Sequence, residues 1–214
     1  MKCCGVQIYI VLMLSFSVLL LSCSDEEKKF GNLRISFIDL LTDSEGNANI
    51  MQTDDGKEYN IINPPDHLRP DTTYRYVAYY EPTDGGVFLA SNAPALSGSP
   101  TTTSPSNKVT DPVRMQSIWR SGKYINMVLN IKGKNVHHTI GFIDKGVITS
   151  PSGTGYLNLE LYHCANNDME AYFHNVYASC LLTSYNGRLL PGRDSILFTV
   201  KQYNKGKTIF RLSF

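Results

Sequence analysis

The sequence predicts a protein built almost entirely of β-strands. Its 13 tyrosines and nine phenylalanines, together with frequent threonine, isoleucine and valine, favour strands over helices. Apolar and polar residues alternate over short segments, and glycine, proline, asparagine and aspartate separate these segments as turns do. After residue 22 the sequence has no long stretch with helical periodicity. The predicted fold class is therefore all-β.

The first 22 residues have the pattern of a lipoprotein signal peptide. Lys2 precedes an apolar stretch at 6–21 that is shorter than the ~20 residues a membrane-spanning helix usually needs. The stretch ends in Leu20-Leu21-Ser22-Cys23, which resembles the bacterial lipobox. This motif predicts a signal-peptide helix cleaved between Ser22 and Cys23, and a lipid on the sulfur of Cys23. Several acyl chains would hold the protein at a membrane permanently. The alternative is an uncleaved N-terminal anchor.

An acidic run follows the predicted lipidation site. Ser24, Asp25, Glu26 and Glu27 resemble the surface-export signal of Bacteroidetes lipoproteins. The resemblance implies a lipid-anchored protein of the outer membrane that faces outward, with the periplasmic face as the alternative. A charge run at a flexible tether is also commonly just solvated, and this second interpretation stays open.

The mature chain divides into two β units joined by a segment without periodicity. A tether at 23–32 precedes the first unit at 33–92, where strands are predicted at 33–37, 58–63, 74–81 and 87–91. Residues 93–112 are rich in proline, serine and threonine and are predicted to be a linker. The second unit occupies 113–214.

The second unit has the alternation of a β-sandwich. Ile125, Met127, Leu129 and Ile131 fall on one face of a predicted strand. Residues 132–135 are predicted to turn this strand into a hairpin with 137–143. With the later segments the unit contains six or seven strands that each have one apolar face, which favours an antiparallel sandwich.

Three segments resemble the NigD-like lipoproteins of Bacteroides and Prevotella. In addition to the lipobox they are Thr73-Tyr74-Arg75-Tyr76-Val77-Ala78-Tyr79-Tyr80, Asp111-Pro112-Val113 and Ile118-Trp119-Arg120-Ser121-Gly122-Lys123-Tyr124-Ile125-Asn126. The resemblance covers nearly the whole chain and implies an N-terminal OB-like barrel followed by a C-terminal β-sandwich. The family has no catalytic or binding residues to carry over. Its name comes from a bacteriocin gene cluster, which implies immunity or another accessory role as one alternative.

Four tyrosines in the first unit form a candidate ligand face. OB-like barrels often bind oligonucleotides or oligosaccharides on one face. Twenty basic and 19 acidic residues leave a net charge of +1, so the composition does not favour nucleic acid and points to a glycan or a protein. The alternative is that these side chains only pack between strands. The four are Tyr74, Tyr76, Tyr79 and Tyr80.

Histidines supply the metal-type side chains of the chain. His137, His163 and His174, with His138 and Cys164 as neighbours, are the candidate group for a metal-dependent hydrolase. Adjacent strand residues point to opposite faces, so His137 and His138 are not expected to share an ion. We therefore expect no catalytic residues, no metal and no cofactor.

Two cysteines remain in the mature chain if Cys23 carries lipid. Cys164 and Cys180 are a candidate disulfide in an exported protein. The alternative is two buried thiols that act as small apolar side chains. Together these patterns predict a noncatalytic, lipid-anchored binding protein with an unknown protein or glycan partner. A small surface enzyme is the alternative from another class.

Overall fold

The computed structural model describes residues 31–103 and 110–214. The predicted leader, Cys23 and most of the acidic tether lie outside these residues. Residues 32–214 form one compact unit. Within the described ranges, no helix has both the length and the apolar character that crossing a bilayer requires.

The described residues form two β-sheets. An eight-stranded sheet has the order β3-β2-β1-β4-β5-β10-β7-β6, and a four-stranded sheet has the order β12-β11-β9-β8. The all-β prediction is confirmed. The strands are β1 Arg34–Leu41, β2 Ile50–Thr53, β3 Glu58–Asn60, β4 Thr73–Thr83, β5 Gly86–Gly98, β6 Arg114–Ser121, β7 Tyr124–Gly133, β8 Thr139–Thr149, β9 Gly155–Cys164, β10 Tyr172–Leu181, β11 Ser195–Gln202 and β12 Gly206–Ser213.

Strands β1 to β5 curl into the predicted OB-like barrel. Neighbours in the order β3-β2-β1-β4-β5 pair antiparallel. The curled sheet closes where Ile61, just after β3, bridges to Val87 of β5 in a parallel sense. Because successive side chains of a strand point to opposite faces, Ile38 and Leu40 of β1 both point into the barrel, where they are fully buried.

The face of β1 that points away from the barrel is also apolar. It carries Ile35, which is 58% exposed. Phe37 is buried on the outside of the barrel, with its ring 5.5 Å from the ring of Trp119 in the second unit. Both faces of β1 carry apolar residues, so alternation could not assign the inner one.

Strand β5 joins the barrel to the sandwich, and this corrects the linker predicted from residue 93. Its first part pairs with β4, while Ala95 to Gly98 pair in parallel with Tyr177 to Cys180 of β10. Residues 93–98 are therefore strand, in spite of their proline, serine and glycine. The backbone of an extended segment can pair with a neighbour whatever side chains it carries, except where proline removes an N–H.

The second unit is the predicted β-sandwich, with the seven strands β6 to β12. Strands β10, β7 and β6 pack against the four-stranded sheet, and the predicted apolar face of β7 lies in the core between them. Two strand pairings are parallel and not antiparallel as predicted. Strand β9 pairs in parallel with β11, and β5 pairs in parallel with β10.

The hairpin predicted around residues 132–135 is wrong. Strand β7 pairs with β6 and β10, whereas β8 pairs with β9 in the other sheet. The segment after Gly133 crosses between the sheets, and Asp168 accepts hydrogen bonds from the backbone N–H groups of Lys134 and Asn135 at 2.5 and 3.3 Å. Turn residues mark a change of direction but do not identify the partner strand.

Candidate functional site

A buried ionic network joins the barrel to the sandwich. Arg75 of β4 lies on the outer face of the barrel with its side chain only 2% exposed. Its guanidinium donates to Asp39 Oδ1 at 3.0 Å and lies 2.6 Å from Asp54 Oδ1. The same guanidinium donates across the junction to Asn126 Oδ1 at 2.9 Å and to Ser179 Oγ at 3.0 Å. One side chain from the barrel thus contacts β7 and β10 of the sandwich.

Groups from the sandwich complete the network. The Tyr124 hydroxyl donates to Asp39 Oδ2 at 3.1 Å, and Lys123 Nζ lies 3.1 Å from the same oxygen. The Arg75 guanidinium carbon lies 3.9 Å from the centre of the Tyr124 ring. Burial and the nearby Asp39 carboxylate raise the pKa of Tyr124 to about 12, so its hydroxyl stays a donor. Each buried charge has an opposite charge and hydrogen bonds, as burial requires.

A glycine lets the two units approach closely. Gly122 begins the two-residue turn between β6 and β7 and has a φ of +53°. A Cβ at this position would collide with the backbone carbonyl oxygen of Asp54. The missing side chain therefore allows the sandwich turn to lie against the loop that carries Asp54, and glycine tolerates the left-handed conformation.

The junction contains an open pocket of about 320 Å³. This volume falls within the ~300–1,000 Å³ typical of ligand pockets, which often form between structural units. Asp54 and Asn126 line it, and Asn126 Nδ2 donates to Asp54 Oδ2 at 2.6 Å. Because both residues also contact Arg75, the network fixes their side chains. We call this cavity the junction pocket.

Aromatic side chains and charges share the walls of the junction pocket. The four aromatic residues are Phe37, Tyr59, Tyr80 and Trp119. Trp119, the single tryptophan of the chain, is 38% exposed. Arg34 and Lys57 provide positive charge, and Asp54 and Asp55 provide an equal amount of negative charge.

The four predicted ligand-face tyrosines do not share one face. Tyr74 and Tyr76 pack against the barrel core with their rings stacked at 6.2 Å, and Tyr80 is 4% exposed within that core. Tyr79 points to the opposite side and is 39% exposed. The period of two along a strand separates them. Tyr80 alone of the four lines the junction pocket.

The predicted histidine group is only partly brought together. The buried His138, and not the exposed His137, contacts His163. His138 Nδ1 lies 2.9 Å from His163 Nε2. His138 Nε2 lies 3.3 Å from Asp168 Oδ2, and His163 Nδ1 lies 3.3 Å from the carbonyl oxygen of Asp111. Burial lowers the pKa of His163.

Protein atoms occupy both ring nitrogens of His138 and of His163. His174 lies beside His138 with ring centres 6.1 Å apart, and its buried Nδ1 has no hydrogen-bond partner. Over residues 31–103 and 110–214, no three histidine, cysteine, aspartate or glutamate side chains converge in a way that could hold a metal ion.

Cys164 and Cys180 are free thiols in the structure. The Cys164 thiol donates to Asn166 Oδ1 at 3.2 Å at the end of β9. Cys180 is fully buried in the sandwich core, and burial raises the pKa of its thiol. The structure supports the second interpretation for Cys180, a small apolar side chain.

Sequence reasoning missed the residues that build the junction pocket. Arg75 interrupts an otherwise tyrosine-rich and apolar strand, and a charge in such a place is a usable signal of a buried ion pair. Its partners Asp39 and Asp54 lie 36 and 21 positions away with no motif connecting them. Trp119 belongs to a segment that carries the family resemblance, but no local pattern marks it as a pocket residue.

The fold and its pocket define a class of two-unit β proteins, in which an OB-like barrel shares a sheet with a β-sandwich and is joined to it by buried charges. The family model for the NigD-like C-terminal beta sandwich domain matches residues 99–214. The chain belongs to the NigD-like family.

Solved structures from Bacteroides and Parabacteroides species have the same fold. A NigD-like immunity protein from Bacteroides caccae is 25% identical, with a TM-score of 0.67 over 83% of this chain and 90% of its own. A protein described as toxin related from Parabacteroides distasonis is 17% identical and has a TM-score of 0.67. The match covers 86% of this chain and 93% of the Parabacteroides protein. A protein of unknown function from Bacteroides vulgatus is 15% identical and has a TM-score of 0.67. The match covers 86% of this chain and 91% of the Bacteroides vulgatus protein. No curated protein matches the chain.

Proposed function

We propose that this protein is a noncatalytic, lipid-anchored binding protein that holds its ligand in the junction pocket. The observation that carries the proposal is the pocket itself. It is concave, it is walled by a partly exposed tryptophan, and its floor is held by the Arg75 network. Preorganised polar groups beside an aromatic anchor are typical of binding sites.

The arrangement of the ionisable groups supports a binding role over catalysis. Asp54 in the pocket is engaged by Arg75 and Asn126, so its oxygens serve as fixed acceptors. His138 and His163 hydrogen-bond to each other outside the pocket. The residues that line the junction pocket include no histidine, the side chain that acts most often as a general base.

A capture experiment tests the proposal. Full-length protein is extracted from membranes in detergent, immobilised, and exposed to soluble proteins and polysaccharides from the native community. Trp119→Ala should lose the captured ligand, while Tyr79→Ala, with almost the same exposure but outside the pocket, should keep it. Capture that ignores Trp119, or chemical conversion of the ligand by the protein, would contradict the proposal.

Lipid anchoring is the second part of the proposal and has its own test. The lipobox at Cys23 supports it. Cys23→Ala should move the protein from the membrane fraction to the soluble fraction and remove the lipid mass. Cys164→Ala is the matched control because Cys164 is a free thiol in the folded part of the chain. A Cys23→Ala protein that stays in membranes would show that another feature anchors it.

The acidic run at residues 25–27 supports a third part of the proposal, outward exposure at the outer membrane. Replacing Asp25, Glu26 and Glu27 with alanine should protect the protein from protease added to whole cells. Unchanged digestion would leave the lipid anchor in place but remove these carboxylates as an export signal.

Immunity against a bacteriocin is a second candidate function, and the similarity to the Bacteroides caccae immunity protein favours it. The ligand would then be a secreted toxin. Deleting the gene should sensitise the host to toxins from neighbouring strains, and Tyr79→Ala but not Trp119→Ala should restore resistance. Equal sensitivity of the deletion strain and its parent would argue against this role.

A further inference from the structure

We infer that the junction pocket binds a neutral saccharide. The inference rests on the proposed binding function and specifies the ligand class. Three features of the pocket carry it: its aromatic wall, its balanced charges and its position on the barrel.

Aromatic side chains on the pocket wall can pack against a sugar ring. Trp119 lines the pocket, is 38% exposed and forms a T-shaped pair with Phe37, with ring centres 5.5 Å apart and an angle of 75° between the planes. Aromatic faces carry a partial negative charge, which attracts the polarised C–H groups on one side of a sugar. Among the lining residues Ile35 is the single aliphatic side chain. A pocket for an apolar peptide side chain would be expected to have more aliphatic residues.

The charges favour a neutral ligand that is rich in hydroxyl groups. Arg34 and Lys57 balance Asp54 and Asp55, and Lys57 Nζ already pairs with Asp55 Oδ2 at 2.7 Å. Phosphate or sulfate groups would meet the two carboxylates as well as the two cations. A hydroxyl both donates and accepts, so it can bond to carboxylates and to cationic donors in the same pocket.

The pocket lies where OB-type barrels commonly bind oligosaccharides. Thr53 of β2, the turn from Asp54 to Lys57, and Tyr59 of β3 all line it. The face formed by strands 2 and 3 is the usual ligand face of this barrel. Here the β6 strand of the sandwich, with Trp119 and Ser121, adds a second wall. The site therefore needs both units.

A glycan array tests the inference. Detergent-solubilised full-length protein is applied to an array of defined neutral and anionic glycans, and bound neutral oligosaccharides are then titrated in solution. Because the chain has a single tryptophan, a change in fluorescence on titration reports the junction pocket directly. The expected result is binding to neutral glycans with saturable quenching or a blue shift.

Variants localise the binding. Measured by isothermal titration calorimetry, because both variants lack the single tryptophan, Trp119→Ala should weaken the affinity about tenfold or more, as loss of an aromatic anchor does, and Trp119→Phe should recover part of it. Tyr172→Ala is the control, since this aromatic side chain is 55% exposed and lies outside the pocket. Binding unchanged in Trp119→Ala would overturn the inference.

The outcomes separate this inference from the proposed function. Absence of glycan binding, together with Trp119-dependent capture of a protein, would overturn the saccharide assignment and leave the binding function intact. Binding confined to sulfated or uronate-containing glycans would overturn the neutral ligand. If neither glycans nor proteins bind, both proposals fail.

Discussion

The barrel and the sandwich differ in how much of their stability comes from apolar burial. In the described residues, eighteen buried side chains form the sandwich core and nine form the barrel core. Small units bury a low fraction of their surface and are marginally stable alone. The barrel compensates at the junction, where Arg75 and its partners connect it to the sandwich. The comparison indicates that the sandwich is the scaffold and that the barrel depends on it.

Deleting Thr208 to Phe214 should have the largest effect. The deletion removes most of β12, with Phe210 and Leu212 that pack against the sandwich core, and also Phe214, which follows the strand and is 3% exposed. We expect insoluble protein and loss of the barrel as well, measured by solubility and by thermal unfolding. Ile209→Ala in the same strand is the control because Ile209 is 63% exposed. A deleted protein that stays soluble and unfolds cooperatively would refute the scaffold role.

Replacing the charge at the junction should have the next largest effect. Arg75→Met leaves Asp54 buried without its counter-charge and Asp39 with only the partly exposed Lys123, and breaking a buried pair in this way costs about 3–5 kcal/mol. Urea unfolding measures this change in the free energy of unfolding. Adding Asp39→Asn and Asp54→Asn to Arg75→Met should recover part of the loss.

The matched control for this prediction is Arg34→Met, because Arg34 is exposed on β1 of the same barrel. Its effect should stay within about 0.5 kcal/mol. Equal stabilities of Arg75→Met and Arg34→Met would mean that the barrel does not rely on the network.

At low pH, protonation of Asp168 in the sandwich should lower the stability of the fold. Backbone N–H groups, that of Lys134 first, hold the pKa of this carboxyl well below its ordinary value of 3.8. A pKa that is lower in the folded state stabilises the fold above the unfolded value, and this stabilisation is lost as the pH falls below about 4.

Asp168→Asn should therefore flatten the loss of stability between neutral and acid solution, as measured by thermal unfolding across pH. Asp84→Asn in an exposed turn should leave the profile unchanged. An unaltered profile in Asp168→Asn would show that these hydrogen bonds do not couple to folding.

Removing a surface charge from the four-stranded sheet should have the smallest effect on the free energy of unfolding. Lys207 Nζ lies 3.2 Å from Glu160 Oε1, but the Lys207 side chain is 70% exposed. Exposed pairs contribute about 0–1 kcal/mol because water and salt screen them. Lys207→Ala should thus change the free energy of unfolding far less than Arg75→Met. A similar loss in both would erase the contrast between buried and exposed ion pairs.

Local patterns predicted most of the strands, although not β2, and predicted their partners poorly. The alternation in β7 placed Ile125, Met127, Leu129 and Ile131 in the core, as observed. The hairpin expected at 132–135 was wrong because a turn does not specify whether the chain returns to the same sheet or crosses to the other. The tyrosines of β4 were expected on one face, but alternation divides them between the barrel core and the surface.

The sequence by itself determined the all-β class and a C-terminal sandwich of six or seven strands, because period-two patterns and turn residues act over a few neighbouring positions. Tertiary structure alone decided the junction pocket. Its floor joins Arg75 to Asp39, Asp54, Asn126 and Ser179, which are 21 to 104 positions away. Contacts over such separations depend on how a curled sheet folds against a sandwich, and no local pattern of residues encodes that geometry.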